Sequence, residues 1–546
     1  MDEPTVGPWP STAAMVRWAA DEYADRTAVE DADLAWTFED LATHVDRVAA
    51  ALIASGVAHG DRVAIWAPNV AWWVPAGLAV HAVGAVLVPL NTRYRGREAA
   101  WILKRSGAVV LLTTTGFLDT DYPDMLVDAG GGRGPDRPVA DLPALREIVT
   151  LPGDTTTAAT PWEDFLARGE GGSTADVDAR AAAIGPDDVC DVMFTSGTTG
   201  HPKGVVSTHG QTLRVFEVWS RIVGLEAGDR YLVVNPFFHT FGYKAGIIAA
   251  VMRGATILPH AVFDAEQVLH RIGRDRVTML PGAPALYQTI LNHPDRATVD
   301  LSSLRLAVTG AAAIPVSLIE RMRSELGFQN VLTAYGLTEA TGVVTMCRSG
   351  DDATTIATTS GRAIPDVEVR IVDPDGIEVA RGEPGEIVVR GYNVMREYLD
   401  DPVQTAAAVD PDGWLHTGDI GVMDAQGNID ITDRLKDMFI VGGFNAYPAE
   451  IESDLVEHPA IAQAAVVGMP DERLGEVGVA FVIPRAGARV DPDEVIAWAR
   501  ERMANFKAPR RVEVVDALPT NPSGKVLKHE LRDRVRAVAR EGTTHG

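Results

Sequence analysis

The sequence predicts an α/β protein, and three observations support this fold class. Helical and strand patterns alternate through about the first 190 of the 546 residues and resume over residues 189–334. Short strands separated by turns follow over residues 362–433, and an α+β pattern of about a hundred residues follows Arg434. Strands that alternate with helices indicate open sheets covered by helices. A chain of this length also exceeds what one hydrophobic core can organise.

The first region contains one clear amphipathic helix and two strands. The helix is indicated by apolar residues at helical spacing, namely Leu41, Val45, Val48 and Leu52,. Strands are predicted at Arg62–Trp66 and at residues 109–112. Residues 71–90 carry no charged side chain, but their Pro and Gly residues divide them into a buried helix up to Val83 and a strand at 85–88,. We therefore expect this segment to fold within the protein and not to span a membrane.

The composition changes between residues 128 and 178. Gly, Pro, Asp and Thr dominate there, apart from an apolar interruption at residues 145–151. This composition predicts loops and an exposed insertion. Beyond it, strands are predicted at residues 231–234, 277–280 and 306–309, and a helix at residues 315–326 has proline in its first turn,.

The last two regions have different patterns. Strands at residues 367–372 and 385–390, separated by turn residues, predict a small β-barrel or sheet subdomain,. After Arg434, a helix opening at Pro448, strands at 464–468 and 479–483, and a helix capped by Asp491 predict a separate α+β domain,. The second helix presents three apolar residues on one face, which we interpret as core: Val495, Ala499 and Met503.

Charge and cysteine content exclude some functions. The formal net charge is −26 and the pI is about 4.9, whereas nucleic-acid phosphates are bound by clustered Lys and Arg, so no nucleic-acid partner is expected,. Only Cys190 and Cys347 are present, so neither a disulfide framework nor a cysteine metal cluster is predicted,. The N-terminus lacks the pattern of a signal peptide,. We expect a cytoplasmic protein.

The decamer TSGTTGHPKG, residues 195–204, is a candidate phosphate-binding loop. It follows an apolar strand and combines hydroxyl side chains, three glycines and Lys203. Glycine permits the backbone conformations with which several N–H groups converge on one anion. The decamer differs from the Walker A pattern, because His201 and Pro202 separate Gly200 from the lysine,. A flexible surface turn is the alternative interpretation.

A second candidate site, YGLTE, follows the predicted strand at residues 331–334. Ligands bind at the carboxyl ends of strands in open α/β sheets. Tyr335 can stack on a base, Thr338 can donate to a phosphate oxygen and Glu339 can hold a hard cation such as Mg²⁺,. The alternative is a turn with a solvated glutamate.

Three individual residues are candidates for a role in binding or catalysis, and histidine and lysine at such positions also have ordinary structural interpretations. Asp419, in GWLHTGD, can accept hydrogen bonds from both ribose hydroxyls,. His239 lies among aromatic residues after a strand, where a histidine without a special role is also common,. Lys525, in NPSGK, lies on a turn, where a lysine is ordinarily a solubilising charge,.

Five ordered motifs carry a family resemblance: TSGTTGHPKG, YGLTE, GWLHTGD, DRLKDMFIVGGFNAYP and NPSGK. In this order and at these separations they resemble the adenylate-forming superfamily, which contains acyl-CoA synthetases, adenylation domains and beetle luciferases. The resemblance covers essentially the whole chain. It implies an N-terminal AMP-binding domain at residues 1–435 and a small mobile α+β C-terminal domain at residues 436–546. Within the first, it implies α/β subdomains at about 1–188 and 189–334 and a β-barrel-like subdomain at 335–433.

The resemblance implies an ATP-dependent acyl-CoA ligase that converts a carboxylate, ATP and coenzyme A into acyl-CoA, AMP and pyrophosphate through an acyl-adenylate. The implied grip on the β and γ phosphates consists of Thr195, Ser196, Gly197, Thr198, Thr199, Gly200 and Lys203. Tyr335, next to Gly336 in the cofactor site, stacks on adenine. The adenine amino edge faces the backbone around Gly310, Ala311 and Ala312.

The resemblance also assigns catalytic roles. Thr338 contacts the α phosphate and Glu339 binds Mg²⁺. Lys525 contacts the substrate carboxylate and the α phosphate, and His239 with its aromatic neighbours gates the acyl pocket. The ribose is held by Asp419 and Arg434.

A second set of residues is implied for the thioester step. The C-terminal domain pivots at Lys436, after which the turn Gly442, Gly443 and Phe444 helps to line the pantetheine tunnel,. The pattern around Lys525 resembles sites of lysine acetylation, which adds a lysine acetyltransferase to the candidate partners. A homodimer is a further candidate.

The acid is less well specified. Residues 239–246 and 333–340 resemble actinobacterial ligases that load the bicyclic indanedione propionate of sterol breakdown onto coenzyme A. Lys244 is interpreted either as a surface lysine or as a partner for a ketone or second carboxylate of the acyl group,. Aromatic residues around His239 suggest a wide apolar pocket, with core packing as the alternative: Phe216, Trp219, Phe237, Phe238, Phe241 and Tyr243.

Other functions are weighed against this one. A ligase of medium- or long-chain fatty acids is the first alternative. A loader of carrier proteins and a luciferase-like oxidase would share the adenylation site. A non-catalytic nucleotide-binding relative is disfavoured because Glu339 and Lys525 are both present.

Overall fold

The computed structural model describes residues 7, 9–134, 137–153, 156–172, 174–195, 202–310, 314–434, 439–485, 487–519, 526, 528 and 530–535. The chain forms two compact units. The first comprises residues 1–92, 103–193 and 204–433, and the second comprises residues 93–102, 194–203 and 434–546.

The chain begins with alternating helices and strands, as the sequence predicts. In order these are α1 (Thr12–Glu22), β1 (Thr27–Asp31), β2 (Leu34–Thr37), α2 (Phe38–Ala54), β3 (Arg62–Trp66), α3 (Trp73–Ala82), β4 (Val86–Pro89), α4 (Gly96–Ser106), β5 (Val110–Thr113), α5 (Tyr122–Ala129), β6 (Glu147–Thr150), β7 (Thr160–Pro161), α6 (Trp162–Ala167), α7 (Thr174–Ala182) and β8 (Val189–Thr195).

The alternation continues into the middle of the chain. Next come β9 (Lys203–Thr208), α8 (His209–Val223), β10 (Arg230–Val233), a π-helix (Phe241–Ile248), α9 (Ala249–Arg253), β11 (Thr256–Pro259), α10 (Ala265–Arg274), α11 (Pro284–Asn292), a 3₁₀ helix (Pro294–Thr298), β12 (Leu306–Thr309), α12 (Val316–Glu325), β13 (Asn330–Tyr335) and a 3₁₀ helix (Thr338–Ala340).

Shorter strands follow, and then the elements of the second unit. These are β14 (Thr345–Met346), α13 (Ala353–Thr358), β15 (Arg362–Ala363), β16 (Val367–Val372), β17 (Pro384–Gly391), β18 (Glu397–Tyr398), α14 (Pro402–Ala408), β19 (Leu415–Met423), β20 (Ile429–Arg434), β21 (Phe439–Val441), β22 (Phe444–Ala446), α15 (Pro448–Leu455), β23 (Ile461–Asp471), β24 (Gly475–Pro484), α16 (Pro492–Arg502) and β25 (Arg511–Val514).

An eight-stranded sheet has the order β18-β9-β8-β4-β3-β5-β6-β7. The pairs from β8 through β4, β3, β5 and β6 to β7 are parallel. Parallel strands need helical crossovers, which cover both faces of the sheet and so favour continuous apolar strands. Every residue of β4 and of β5 is accordingly buried.

Two further sets of paired strands are connected by a single residue, Met279. The strands β10-β11-β1-β2 and β12-β13-β14-β15 form separate ladders, and Met279 makes parallel bridges to Tyr231 of β10 and Leu306 of β12. The strand predicted at residues 277–280 is therefore reduced to this bridge. The segment still contributes to the core, because Val277, Met279 and Leu280 are fully buried.

The region after β15 folds as the four-stranded sheet β16-β17-β19-β20, in which β17 runs antiparallel to both β16 and β19. In the second unit, the sheet has the order β22-β21-β24-β23, and β25 pairs in parallel with β24. Its α16 begins where Asp491 accepts hydrogen bonds from the N–H groups of Asp493 and Glu494. The apolar face of α16 is core, as predicted, since Val495, Ala499 and Met503 are all 0% exposed.

Local sequence explains the ends of the helices that position the site. Thr37 and Asp40 form a capping box at the start of α2, and Thr208 and Gln211 form another at the start of α8,. Helix α8 ends at Gly224, whose φ of 81° lies in the left-handed region that glycine adopts readily,.

The prediction of an exposed insertion at residues 128–178 is wrong. This segment contains β6, β7 and α6 and the start of α7. Trp162, Phe165, Leu166 and Val177 are buried there and pack into the main core. The Gly-, Pro- and Thr-rich composition concealed apolar residues that are too widely spaced to show a period.

By contrast, residues 71–90 form α3 and β4 as expected. Among the helices of the described residues, none has the length and hydropathy of a membrane span.

Candidate active site

Tyr335 and Asp419 meet at the end of β13. The Tyr335 hydroxyl donates a hydrogen bond of 2.6 Å to Oδ2 of Asp419. Both residues are largely buried, at 7% and 8% exposure. A buried phenol that donates to a carboxylate makes a charge-assisted bond, which fixes both side chains. The structure thus brings together two residues from separate motifs.

The part of β19 that carries Asp419 is held by hydrogen bonds to β17. Glu386 accepts a hydrogen bond of 3.0 Å from the N–H of Gly418, whose φ is 70°. The Thr417 hydroxyl donates to the carbonyl of Ile387 and accepts from the N–H of Asp419. The carboxylate of Asp419 is therefore oriented by its own backbone before any ligand is bound.

Glu339 is fixed by Tyr398. The Tyr398 hydroxyl donates to Oε1 of Glu339 over 2.9 Å, and the carbonyl of Glu339 accepts from the N–H of Met395 over 2.7 Å. Tyr398 pairs with Val205 of β9 in the eight-stranded sheet. The side chain of Glu339 is only partly buried, so its carboxylate combines a fixed position with access to solvent. Thr338 precedes it in the same 3₁₀ helix and is also partly exposed.

Two of the predicted cofactor glycines lie against backbone. A Cβ on Gly336 would come within 2.0 Å of the carbonyl oxygen of Gly342, and a Cβ on Gly310 would lie 3.1 Å from the carbonyl oxygen of Ala334. Gly310 follows β12 and Tyr335 ends β13, which are neighbouring parallel strands. Their carboxyl ends therefore lie side by side, at the edge of the sheet where ligands bind in open α/β folds.

His239 precedes the π-helix and is exposed to solvent. Its Nδ1 accepts a hydrogen bond of 3.2 Å from the N–H of Phe241, so in the neutral ring Nε2 carries the proton,. Surrounding protein nevertheless desolvates the imidazole and lowers its pKa,. Exposure to water and partial desolvation are compatible, because the side chain has protein on most sides and an opening on one.

The aromatic residues around His239 divide into two groups. Phe216, Trp219, Phe237 and Tyr243 are buried at 1% exposure or less, which favours core packing for these four. Phe238 and Phe241 are only partly buried. Any apolar lining near His239 is therefore narrower than the aromatic count of the sequence suggests.

Lys244 is not a surface lysine. Its side chain is 1% exposed, and Nζ lies 3.0 Å from Oδ2 of Asp191, which is 0% exposed. The buried pair lies beside His81, Cys190 and Tyr243. The ammonium group is already matched by a carboxylate of this chain.

The predicted residues of the second unit are partly described. Thr195 ends β8 and Lys203 begins β9, and both are partly buried. Gly442 and Gly443 have φ values of 57° and 86° and form the two-residue turn between β21 and β22. Such turns require positive φ at both positions. Phe444 stacks on Phe506 with ring centroids 4.9 Å apart.

Several predicted residues lie outside the described part of the chain. These are Ser196, Gly197, Thr198, Thr199, Gly200, Ala311, Ala312, Lys436 and Lys525. The backbone of Arg434 ends β20, and its side chain is likewise outside the description.

Sequence reasoning missed the residues that support the site. Tyr398 and Glu386 have no motif of their own and act through partners 59 and 32 residues away. Asp191 was a detectable signal, because it is the only charged residue in the apolar strand β8.

Comparison with known proteins identifies relatives of the whole chain. The model of the AMP-binding enzyme family matches residues 16–399, and that of the AMP-binding enzyme C-terminal domain matches residues 450–525. A 3-[(3aS,4S,7aS)-7a-methyl-1,5-dioxo-octahydro-1H-inden-4-yl]propanoyl:CoA ligase of Rhodococcus jostii is 51% identical, over 96% of this chain and 98% of its own. The ligase of the same name from Mycobacterium tuberculosis is 53% identical, over 93% of this chain and 96% of its own.

Solved structures agree with this placement. A double mutant of o-succinylbenzoate CoA synthetase from Bacillus subtilis has a TM-score of 0.78 and 30% identity, and the match covers 95% of this chain and 98% of that one. The amide bond synthetase of Marinactinospora thermotolerans has a TM-score of 0.81 and 29% identity, covering 95% and 99% of the two chains.

Proposed function

We propose that this chain, which belongs to the AMP-binding enzyme family and is an acid–thiol ligase, loads a bulky cyclic propionate onto coenzyme A. The family match and the ligase relatives place ATP and coenzyme A among its substrates. One observation carries the choice of acid. Two relatives named as indanedione propionate ligases are 51% and 53% identical, and each match covers at least 93% of both chains.

The proposed reaction has two steps. In the first, a carboxylate oxygen of the acid attacks the α-phosphorus of ATP, and the bond to the β-phosphate oxygen breaks to release pyrophosphate. In the second, the sulfur of coenzyme A attacks the acyl carbon, its proton is lost and AMP leaves. The acyl-adenylate is therefore both product of the first step and substrate of the second.

The contacts of the first unit support an adenosine site at Tyr335 and Asp419. The tyrosine hydroxyl is engaged by Asp419, which fixes the position of the ring that is proposed to stack on adenine,. Asp419 is proposed to accept hydrogen bonds from the ribose hydroxyls, and Arg434 is the second proposed ribose residue. Gly310, Gly336, Ala311 and Ala312 complete the proposed adenine side.

Glu339 is the proposed ligand of Mg²⁺. An ionised carboxylate that is partly exposed and held by one hydrogen bond from Tyr398 is the type of oxygen donor that magnesium takes together with substrate phosphates,. When bound, the ion would neutralise phosphate charge. The protein's own contribution is to hold Oε1 in place.

Like charges make the first step difficult. The attacking carboxylate and the α phosphate are both anionic, so positive charge must stand ready where they meet. Lys525 is proposed to supply it, with Thr338 contacting the α phosphate and residues 195–200 and Lys203 holding the β and γ phosphates. His239, neutral because its pKa is lowered, is proposed to gate the acid without adding charge.

The second step is proposed to use another orientation of the C-terminal domain. Lys436 is the proposed pivot, and Gly442, Gly443 and Phe444 are proposed to line the tunnel for pantetheine. In a Lys436→Pro variant, pyrophosphate release should be retained while thioester formation falls, because proline fixes φ and hinders the pivot. Equal loss of both half-reactions would contradict this role.

A homodimer and acetylation of Lys525 stay predictions. Acetylation would remove the charge that the first step needs. Mass spectrometry of the protein from its native host tests the modification, and a spectrum of the Lys525 peptide without an acyl group would count against it.

The order of the two steps can be tested directly. With the indanedione propionate and ATP but no coenzyme A, we expect one rapid turnover of pyrophosphate per active site. Addition of coenzyme A should then release AMP and thioester in equal amounts. Pyrophosphate release that is independent of the acid, or absent with this acid and present with a straight-chain fatty acid, would contradict the proposal.

A further inference from the structure

A buried ion pair connects two segments of the first unit that the proposed reaction uses separately. Lys244 lies on the π-helix that begins at Phe241, immediately after His239 and Thr240. Asp191 lies on β8, which leads in the chain to Thr195, the first residue of the phosphate loop. Nζ of Lys244 is 3.0 Å from Oδ2 of Asp191. We call residues 239–241 the gate segment.

A second contact joins the same two segments. The hydroxyl of Thr240 lies 3.2 Å from Sδ of Met193, which is two positions after Asp191 on β8. Thr240 is 4% exposed, and its methyl group would lie 2.3 Å from a Cβ placed on Gly342. Within the gate segment, Thr240 therefore packs between Met193 of β8 and Gly342, which lies three residues after Glu339.

The titratable side chains around the Lys244–Asp191 pair are His81, His209 and Cys190, and their pKa values are shifted by burial. Burial, His209 and Lys244 all lower the pKa of His81, and burial lowers the pKa of His209 to about 4, so both rings are neutral near pH 7. Burial, with Asp191 nearby, raises the pKa of the Cys190 thiol and keeps it protonated. Burial also raises the pKa of Asp191, and Lys244 opposes that shift. Within the described residues, Lys244 and Asp191 carry the only opposite charges that meet in this cluster.

The same groups do not make a cation site. His81, Cys190 and His209 each offer one ligand atom, and these atoms lie within 4.8 Å of one another. However, Nε2 of His81 is already paired with the Tyr243 hydroxyl, and the Lys244 ammonium is close enough to lower the pKa of both histidines. A metal ion would be repelled by this ammonium at short range.

Removal of two charges from water is unfavourable, so a buried pair contributes little to stability compared with apolar residues of the same size. Such a pair instead restricts geometry, because each charge tolerates few positions other than contact with its partner. The described oxygens of Asp191 have no well-aligned hydrogen bond besides this ion pair. The contact with Lys244 is therefore the polar contact of Asp191 that holds the π-helix against β8, in addition to the apolar packing of that helix.

We propose that the Lys244–Asp191 pair is a positioning contact that couples the gate segment to the strand leading into the phosphate loop. This inference rests on the proposed function, in which the gate segment meets the acid and the loop meets ATP. The pair touches neither substrate. Its effect is that binding of the acid and binding of ATP favour the same position of the π-helix on β8.

The variants are chosen to separate positioning from folding. Lys244→Met leaves the buried carboxylate of Asp191 without its cation, and Asp191→Asn leaves the buried ammonium of Lys244 beside a neutral amide. Each single variant is therefore expected to have a lower melting temperature than the wild type. The double variant K244M/D191N removes both charges together and should fold. It carries the test, and circular dichroism with a melting curve establishes that it is folded at the assay temperature.

A second ion pair, in which only the carboxylate is buried, provides the control. Nε of Arg305 donates to Oδ1 of Asp229 over 2.8 Å, and Asp229 is 4% exposed. These residues precede β12 and β10, at the amino ends of the strands, opposite the proposed ligand edge. The double variant R305M/D229N should lower the melting temperature without changing either KM.

The readout is the effect of each substrate on binding of the other. KM values for the acid and for ATP are measured by pyrophosphate release, and affinity for the acid is measured with and without a non-hydrolysable ATP analogue. In K244M/D191N we expect both KM values to rise by about tenfold, as for a small misplacement of binding groups. We also expect the analogue to lose its enhancement of acid affinity, which by linkage is reciprocal.

Three results would overturn the proposal. Wild-type KM values and wild-type coupling in the folded double variant would show that the pair positions nothing. The same losses in R305M/D229N would show that they reflect stability alone. A loss confined to the diketone acid, absent with an analogue that lacks both ketones, would mean that Lys244 contacts the substrate. Failure of the proposed function itself is distinguishable, since the wild-type protein would then be inactive with this acid.

Discussion

The hydroxyl of Tyr335 donates a 2.6 Å hydrogen bond to Oδ2 of Asp419, a residue 84 positions away in the chain. The bond joins the end of β13 to the middle of β19, and so brings the proposed adenine and ribose residues together. Glu386 and Thr417 orient Asp419 from behind. The side chains that are proposed to hold adenine and ribose are therefore joined to each other in the first unit.

Removal of this hydrogen bond should weaken ATP binding. In Tyr335→Phe the ring is retained and only the hydroxyl is lost, so we expect KM for ATP to rise by about three- to tenfold while kcat changes little. Tyr392→Phe is the matched control, because among the described residues the Tyr392 hydroxyl has no hydrogen-bond partner. Equal KM values in the two variants would contradict the role of the Tyr335–Asp419 bond.

Tyr398 should affect the metal and not the acid. Tyr398→Phe removes the 2.9 Å hydrogen bond to Glu339, and loss of a group that orients a metal ligand typically weakens metal affinity by about tenfold or more,. We expect the Mg²⁺ concentration that gives half-maximal pyrophosphate release to rise accordingly, with an unchanged KM for the acid. An unaltered Mg²⁺ curve would remove Glu339 from the proposed magnesium site.

The Gly442–Gly443 turn should matter for the thioester step. Gly443 has a φ of 86° and open space where a Cβ would be, so Gly443→Ala adds backbone strain of about 1 kcal/mol or more without a clash,. We expect slower thioester formation from the preformed adenylate and normal pyrophosphate release. Gly487→Ala is the control, since Gly487 also has open space and a positive φ of 77°. Equal effects of both variants would indicate a general loss of stability.

The second unit contains a carboxyl group that makes stability depend on pH. Burial, reinforced by Glu450 and Glu98, raises the pKa of Asp454 to about 7, while Lys507 and Arg97 oppose the shift. The unfolded pKa of an aspartate is about 3.9. The folded state therefore binds this proton more tightly, and the destabilising effect appears above about pH 4, grows up to pH 7 and is constant beyond.

Asp454→Asn should remove this dependence. We expect calorimetry to show a larger gain in melting temperature at pH 8 than at pH 5.5, because the wild-type carboxylate is fully charged only at the higher pH. Glu472→Gln, at an exposed position of the same unit, should have equal effects at both pH values. A gain in Asp454→Asn that is equal at pH 5.5 and pH 8 would contradict the raised pKa.

Apolar runs bounded by turn residues were sufficient to predict several strands, including strands that are buried on both faces. The strands Arg62–Trp66, Leu306–Thr309 and Val367–Val372 have the predicted bounds. Residues 128–178 were misread because their short elements bury only isolated large residues such as Trp162 and Phe165. The strand at 277–280 was overestimated because an apolar run does not distinguish a ladder from a single bridge at Met279,.

The site was predictable where a motif carries the chemistry. Tyr335, Asp419 and Glu339 were predicted from their motifs, and the structure brings Tyr335 and Asp419 into contact, while their functional roles stay predictions. Tyr398 and Glu386 were not found, since their contribution depends on contacts across the sheet that no local pattern encodes. Asp191 is recognisable as the only charged residue of β8, but its pairing with Lys244 was not predictable because the two residues are distant in the chain.

We propose that the indanedione propionate is the preferred acid, and competition between acids is the most direct test of this preference. The wild-type protein is given equal concentrations of the indanedione propionate, octanoate, palmitate and ferulate, with ATP and a limiting amount of coenzyme A. The ratio of thioesters, measured by mass spectrometry, then equals the ratio of kcat/KM values. We expect the amount of the indanedione propionyl thioester to exceed the amount of each other thioester by about a hundredfold or more. A mixture dominated by octanoyl- or palmitoyl-CoA would contradict it.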